Sequence, residues 1–450
     1  MKIIETISEY NQFISECSSY DWILVPTYCN GNQPVYIDTL SVLYVYVLMR
    51  DEEYMIVFNH TEGLKLPVDL LQEFPESNKQ FVYGKKKFKT ALNRTNIIDM
   101  DMVQYFHNNE PIVDDFDTNA HEHFTRQFSK FANLNTIIPI SKHIERSQKI
   151  SQAFLDAYDY YHEEASFASY DNLMLENYFQ IERNGMFVHQ TQYQNKFPNG
   201  IIYNGYAYTE YNCYTTTGRP SNRYGGINYA ALNKDDTSRA SFISRFGEQG
   251  FMMQFDYDAY HLRLLASLID YKFPDNVSVH EHLGKYYFQK ETLTEEEYNE
   301  SKTISFKQLY GGIQSDYLVI PFFAQVNEYT KLIWKQFNDE GYIETPMFGR
   351  KLFSSFFNDL NASKLLNYLL QAFETERNMA VIHNILLRTQ SFSSKLILYT
   401  YDSFLWDFNK SDGADFIYMI KQELEQNGKF PVKLQIGPDY HAMINVERKF

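Results

Sequence analysis

The sequence predicts a mixed α/β (α+β) chain on three observations. Strand-length apolar runs end at aspartates, a capped helix lies between them, and the N-terminal third is rich in strand-like runs. At 450 residues the chain holds two or three domains with substantial cores. Phe251, Met252, Met253 and Phe255 form an apolar run that delivers Asp256 at its end, and Leu262, Leu265 and Leu268 then mark a helix. Thr294 and Glu297 fit a capping box and Gly311-Gly312 is a natural stop, so the segment between reads as a helix of roughly four turns. Residues 396–400 and 404–406 read as a hairpin with Asp402 near its tip.

Two aspartates on adjacent strands are able to share divalent ions about 3.5–4 Å apart, as phosphoryl transfer requires, because hard cations prefer carboxylate oxygen. Either aspartate alone reads more readily as an ordinary turn or strand-end carboxylate. The intervening helix sharpens the reading, because Lys302, Phe306 and Tyr310 stand at i, i+4 and i+8 and share one face. A lysine there can meet a triphosphate as a point charge while the two rings pack on a sugar and base. By itself the trio also fits a lysine snorkelling beside core aromatics. The combination with the aspartates favours the nucleotide.

In this order the motifs FDYDAYHLR at 255–263, KTISFKQLYGG at 302–312 and YTYDSFLWDF at 399–408 resemble those of family A DNA polymerases, the bacterial DNA polymerase I type. The resemblance runs from about residue 201 onward and includes further stretches. TTTGRPS at 215–221 is similar to the family's TGR motif, SVHEHLG at 278–284 to its triphosphate-contacting histidine segment, and GYIETPMFGRKL at 341–352 to its GYVET-GRR segment. PVKLQIGPDYHAM at 431–443 resembles the family's last strand.

The resemblance implies a right-hand polymerase with an antiparallel-sheet palm, helical fingers and a reduced thumb, preceded by a ribonuclease-H-like exonuclease-type domain. It divides the chain into an exonuclease-like domain at 1–150, a linker or reduced thumb at 151–200, palm at 201–275, fingers at 276–340 and palm again at 341–450. It further implies template-directed addition of dNTPs to a primer 3′-hydroxyl, in phage replication or repair given the compact layout. Two Mg²⁺ ions, with Mn²⁺ as a substitute, would rest on Asp256, Asp402 and the Tyr257 backbone carbonyl. Lys302 joins the two aspartates as the catalytic set. Tyr257, His261, His280, Lys302, Phe306 and Tyr310 are the implied nucleotide contacts. Arg219, Arg350, Asn367, Gln371 and Tyr401 are the implied contacts to a DNA primer-template. Asn367 and Gln371, four apart on a leucine-rich helix, face the same way.

Departures from the family pattern carry their own expectations. His261 stands where the family has a glutamate that blocks the ribose 2′-hydroxyl, and Tyr298 where it has a phosphate-binding arginine. Tyr401-Asp402-Ser403 replaces His-Asp-Glu and is also similar to the His-Asp-Ser of single-subunit phage RNA polymerases. A sugar-tolerant or RNA-synthesising enzyme of the same palm class is therefore the second functional reading. A non-catalytic DNA-binding scaffold is the third.

In the N-terminal third, strand-like runs at 22–25, 42–49 and 54–58 precede FVYGKKKF at 81–88 and NIIDMDMVQYF at 96–106, an order similar to the exonuclease domain of the family. The proofreading site of such domains begins Asp-Thr-Glu. Its counterpart here is Pro26-Thr27-Tyr28, or alternatively Asp38-Thr39-Leu40, and Asp99 matches a later carboxylate. The expectation is a degenerate domain without proofreading. Only about thirty residues separate IERNGMFVH at 181–189 from the TGR motif, so either the thumb is vestigial or helices such as 143–165 replace it. Weak processivity, or dependence on a processivity or replisome partner, follows.

Composition adds limits. Cys17, Cys29 and Cys213 are too scattered for a zinc site and too few for a disulfide framework, which predicts a reducing cytoplasm. No apolar run reaches the length of a membrane span, and the first ten residues lack a signal-peptide pattern, so no membrane partner is expected. A formal net charge of −16 excludes a uniformly basic nucleic-acid binder. Net charge is not local charge, however, and a cleft lined by Arg219, Lys302, Arg350 and Lys351 would be positive within an acidic body.

Overall fold

Runs of β-branched and aromatic residues form the two largest sheets, one of six strands and one of five. The computed structural model describes residues 1–30, 39–114, 134–224, 227–274 and 277–446, and the chain divides into two units, Met1–Arg183 and Asn184–Phe450. Asp38, from the alternative exonuclease alignment, lies outside the described residues.

The first unit holds a six-stranded sheet built from β1 (Lys2–Ile4), β2 (Trp22–Tyr28), β3 (Leu40–Val47), β4 (Glu52–Val57), β5 (Gln80–Val82) and β6 (Ile97–Asp99), in the order β1-β4-β3-β2-β5-β6. Strands β2, β3 and β4 form an antiparallel meander, while β5 and β6 continue parallel to β2. Central β2, WILVPTY, is buried along nearly its whole length, so it reads as a continuous apolar run and not an alternating one. Pro26 fits inside it because of where β5 stops. The Leu24 carbonyl points to that side, accepting from Tyr83 N at 2.9 Å, so Pro26, two residues on, turns its missing N–H beyond the last β5 pair, Leu24 with Val82.

Helix α1 (Ile7–Cys17), started by a Thr6/Glu9 capping box, packs Phe13 on Trp22 and Tyr54 with ring centroids 5.0 and 4.8 Å apart. Helix α2 (Met100–Asn108) is capped by Asp99. Helix α3 (Ile140–Tyr158) sets Phe154 on Phe81 at 5.2 Å. Helix α3, which covers most of 143–165, thus packs on the sheet of its own unit. The expected boundary at 150 falls inside this helix.

The second unit centres on a five-stranded antiparallel sheet. After the short strands β7 (Met186–Phe187), β8 (Tyr206–Ala207), β9 (Tyr211–Asn212), β10 (Ser221–Tyr224) and β11 (Ile227–Asn228) come β12 (Gly250–Tyr257), the hairpin β13 (Tyr342–Glu344) and β14 (Lys351–Phe353), β15 (Lys395–Thr400), β16 (Ser403–Asn409), β17 (Val432–Gly437) and β18 (Ile444–Asn445). The main sheet runs β15-β16-β12-β17-β18. Central β12 presents Met252, Met253 and Phe255 to the interior, each 0% exposed.

Around this sheet lie α4 (Tyr260–Leu268), α5 (Val279–Phe288), α6 (Glu295–Gly311), α7 (Pro321–Glu340), α8 (Ala362–Arg388) and α9 (Gly413–Glu425). Helix α6 begins at the predicted capping box, with Thr294 Oγ1 accepting from Glu297 N at 3.2 Å and Glu297 Oε2 accepting from Thr294 N at 3.0 Å. It ends before Gly312, whose φ of +90° suits glycine. Helix α7 has Pro321 in its first turn and left-handed Gly341 after its last. Among the described residues no helix is long and apolar enough to cross a membrane.

Candidate active site

Sheet register brings the two predicted aspartates together. Asp256 pairs with Ser403 across β12 and β16, so Asp402, in the two-residue turn between β15 and β16, sits beside it, and its carbonyl accepts from Tyr257 N at 3.0 Å. Two non-glycine residues with positive φ flank the pair, Ala259 at +51° and Tyr401 at +63°. Backbone of this kind is held by its surroundings. Asn378 Nδ2 donates to the Tyr401 carbonyl at 2.7 Å, and the Arg219 guanidinium lies 3.8 Å over the Tyr401 ring.

The carboxylates are partly buried and, among the described residues, form no ion pair. Asp256 accepts from Gln254 Nε2, which also donates to Ser403 Oγ at 2.8 Å. Burial raises the Asp256 pKa, offset by Lys234, the Gln254 hydrogen bond, Arg239 and Lys433. Burial, then the neighbouring charges of Asp256 and Glu374, push Asp402 from 3.8 up to about 6. Lys433 Nζ pairs instead with Asp258, at 2.6 Å. Two desolvated like charges that form no ion pair among the described residues are what a divalent cation would stabilise, so the pair fits Mg²⁺. Among the described residues no group of three or more His, Cys, Asp or Glu side chains could hold a metal.

A sign follows for stability. The folded pKa of Asp402 lies above its unfolded value, so ionising it opposes folding, and the penalty grows as pH rises from about 4 to about 6. Relative to wild type, Asp402→Asn is therefore expected to gain up to about 3 kcal/mol at pH 7 without metal, and nothing below about pH 4. Paired urea melts across this pH range check it.

The cation and aromatics of α6 stand as the spacing predicted. Phe306 and Tyr310 are 38% and 43% exposed, with near-parallel rings 5.9 Å apart. Lys302 Nζ lies 3.3 Å from Asn299 Oδ1 and 4.4 Å over the Tyr298 ring, and forms no ion pair among the described residues. His280 packs beside Phe306, ring centroids 5.8 Å apart. Burial lowers its pKa to about 4, with Asp258 opposing and Lys302 adding to the fall. Its imidazole is therefore neutral at pH 7, and its buried Nδ1 has no hydrogen-bond partner. The Tyr310 hydroxyl, its pKa raised to about 12 chiefly by burial, lies 2.7 Å from His261 Nδ1. Helix α8 approaches the same point, where Asn367 Nδ2 donates to the Tyr310 carbonyl at 3.2 Å. Gln371 lies one turn along that helix and is partly exposed.

Two expected contacts are corrected. Tyr257 cannot offer its side chain to a nucleotide, because it is 6% exposed, stacked on Tyr260 at 4.0 Å and bonded to Leu424 O and Arg377 at 3.2 and 2.8 Å. Position 257 is the strand residue that turns inward beside outward Asp256, as strand alternation requires. Arg350 is 1% exposed, so it cannot lie on a DNA surface. Its guanidinium donates to the Thr216 carbonyl at 3.1 Å and thereby supports the 215–221 turn, where Thr215 Oγ1 donates to the Arg219 carbonyl at 2.9 Å. Arg350→Ala is expected to cost about 3 kcal/mol or more in a urea melt, as a buried polar anchor is lost.

Sequence reading missed Glu374, Asn378, Gln254, Lys234, Arg239 and Lys433. For α8 a signal existed. Asn367, Gln371, Glu374 and Asn378 recur at i, i+4, i+7 and i+11 in a leucine-rich helix, which marks a polar stripe along one face.

The chain is similar to the polymerase domain of Pol1 from M. smegmatis, solved in complex with DNA primer-template and dNTP, with a TM-score of 0.71 and 13% identity over 98% of this chain and 100% of that one. The mixed α/β fold is therefore that of a polymerase domain. No protein-family model and no curated protein matches the sequence.

Proposed function

We propose that the chain is a template-directed DNA polymerase that adds dNTPs to a primer 3′-hydroxyl. The observation that carries this reading is the register that sets Asp256 beside Asp402, with the Lys302 face of α6 brought to the same place through Tyr310 and His261. The fold shared with a DNA polymerase domain supports it.

Asp256 and Asp402 would hold Mg²⁺ or Mn²⁺, together with the Tyr257 carbonyl. The metal would supply Lewis-acid activation of the 3′-hydroxyl and neutralise triphosphate charge. Lys302 is the mobile cation for the phosphates, and His280, neutral at pH 7, acts there as a hydrogen-bonding group and not as a charge. Phe306 and Tyr310 offer the exposed aromatic face for sugar and base. Arg219, Asn367 and Gln371 lie toward the minor groove, whose acceptors are similar for every base pair, so any template sequence is copied. By this reading α5 to α7 are the fingers and the five-stranded sheet is the palm.

Extension of a labelled primer with Mg²⁺, using dNTPs or rNTPs in parallel, tests the proposal. Extension with dNTPs alone supports it. Equal use of rNTPs would instead favour a sugar-tolerant enzyme, a reading kept open by the imidazole of His261 beside Tyr310, and no extension by folded protein would overturn both.

The first unit supports a domain without proofreading. Its meander followed by parallel strands is a ribonuclease-H-like order. At the strand position where carboxylates are needed, Arg146 reaches Thr27 Oγ1 at 3.4 Å and pairs with Asp114 at 2.9 Å. A guanidinium there repels the cations such a site would need. Asp99 caps α2 instead, accepting from Met102 N at 2.8 Å. Incubation of a 3′-mismatched primer with Mg²⁺ and no dNTP is expected to leave it intact, and stepwise shortening would sink this reading. The described residues between Asn184 and Thr215 hold one helix, Gln190–Lys196, and short strands, which supports a reduced thumb of the compact phage type.

A further inference from the structure

We infer that Glu374 is a positioning residue that joins Arg219 to the His261–Tyr310 pair, so that one buried carboxylate governs both primer alignment and sugar selection; this rests on the polymerase reading above. Glu374 lies in the middle of α8 and is 1% exposed. Its Oε2 is 2.9 Å from Arg219 Nε and its Oε1 is 3.1 Å from His261 Nε2. Those partners come from separate parts of the chain. Arg219 belongs to the turn braced by Arg350 and Thr215, and His261 to the first turn of α4.

The contacts make Glu374 more than a neutralising group. A carboxylate offers only lone pairs, so at 3.1 Å Oε1 repels a lone pair on Nε2 and favours the imidazole tautomer whose Nε2 carries the proton, although the contact lacks hydrogen-bond alignment. Nδ1 is then the acceptor for the Tyr310 hydroxyl at 2.7 Å. Tyr310 is held from its other end as well, since its carbonyl accepts from Asn367 on α8. Through its second oxygen Glu374 draws Arg219 over the Tyr401 ring, next to Asp402. Asn378, one turn further along α8, fixes the Tyr401 carbonyl. A single helix therefore sets the turn that carries one catalytic aspartate, the arginine beside it and the tyrosine opposite. Neither contact has the alignment of a hydrogen bond, for Arg219 Nε, His261 Nε2 and Glu374 Oε2 are buried without one. The cluster thus keeps polar capacity that closer approach of its three elements could satisfy.

Removing the charge while keeping the shape, as in Glu374→Gln, frees Arg219 and leaves the His261 tautomer undefined. The dNTP-to-rNTP ratio of kcat/KM is expected to fall about tenfold, with weaker primer-template binding alongside. A loss confined to stability would leave that ratio in place. The deciding measurement is a double-mutant cycle between Arg219→Ala and His261→Ala, read as kcat/KM for a correct dNTP. A shared carboxylate predicts non-additive effects with about tenfold coupling, lost when the cycle is repeated in Glu374→Gln. If Glu374→Gln does not fold, the cycle in the wild-type background decides alone. Additive effects in a wild type that extends primers would overturn this inference and leave the polymerase reading intact. A folded wild type that extends nothing would overturn both.

Discussion

Asp402→Asn is expected to reduce primer extension by on the order of 10³-fold, the several kcal/mol that a bound divalent ion contributes to charge stabilisation. Asn is nearly isosteric, and the turn around it is held by backbone contacts that the substitution leaves alone, the Tyr257 N–H to the Asp402 carbonyl and the Asn378 amide to the Tyr401 carbonyl. Folding should therefore survive, and the metal-free variant should be the more stable one at neutral pH. Loss of activity together with gain of stability separates a functional carboxylate from a structural one, because a residue kept for the fold would lose both. Asp256→Asn is expected to behave alike, and the double variant to be scarcely worse than either, since groups that act as a unit are not additive. Single-turnover extension with thermal melts with and without Mg²⁺ measures all of this. Activity within tenfold of wild type in either single variant would remove the two aspartates from the chemistry.

Lys302→Ala is expected to lower kcat for dNTP addition by about 10²- to 10³-fold, the usual effect of deleting one preorganised group aimed at developing charge. The fold should hardly notice. Among the described residues the Lys302 ammonium bonds Asn299 and lies over Tyr298, one turn back on its own helix, and α6 is secured by its capping box and by Ser301, which donates to the His280 carbonyl at 2.9 Å. Tyr298 gains importance from this geometry. It aligns with an arginine of the resembled family pattern, and its ring serves as the rest position for the lysine. A rise in KM with unchanged kcat would show that Lys302 binds the triphosphate equally before and during reaction. A change below about threefold in both would exclude it from the site.

The β12 strand, the hairpin and α6 were legible in the sequence because each rests on local rules: an apolar run, a short turn, a capping box with a terminal glycine pair. Strand alternation also contained the correction at Tyr257, since a residue next to an outward aspartate must point in. Arg350 misled for a different reason. The resemblance implied a DNA contact there, whereas the guanidinium braces the Thr216 carbonyl, a contact 134 residues away in sequence.

What the sequence by itself determined is the kind of element at each motif and the residue types it presents: one aspartate at a strand end and one in a hairpin turn, a lysine and two rings on one helical face, and Pro26-Thr27-Tyr28 in an apolar strand. Only the tertiary structure decided which of these meet. The Asp256–Ser403 register, Arg146 beside Thr27, and Glu374 between Arg219 and His261 all join residues more than a hundred positions apart. Local propensity and periodicity act over a few residues, whereas such contacts are fixed by sheet pairing and by burial of whole helix faces, to which single side chains then adjust.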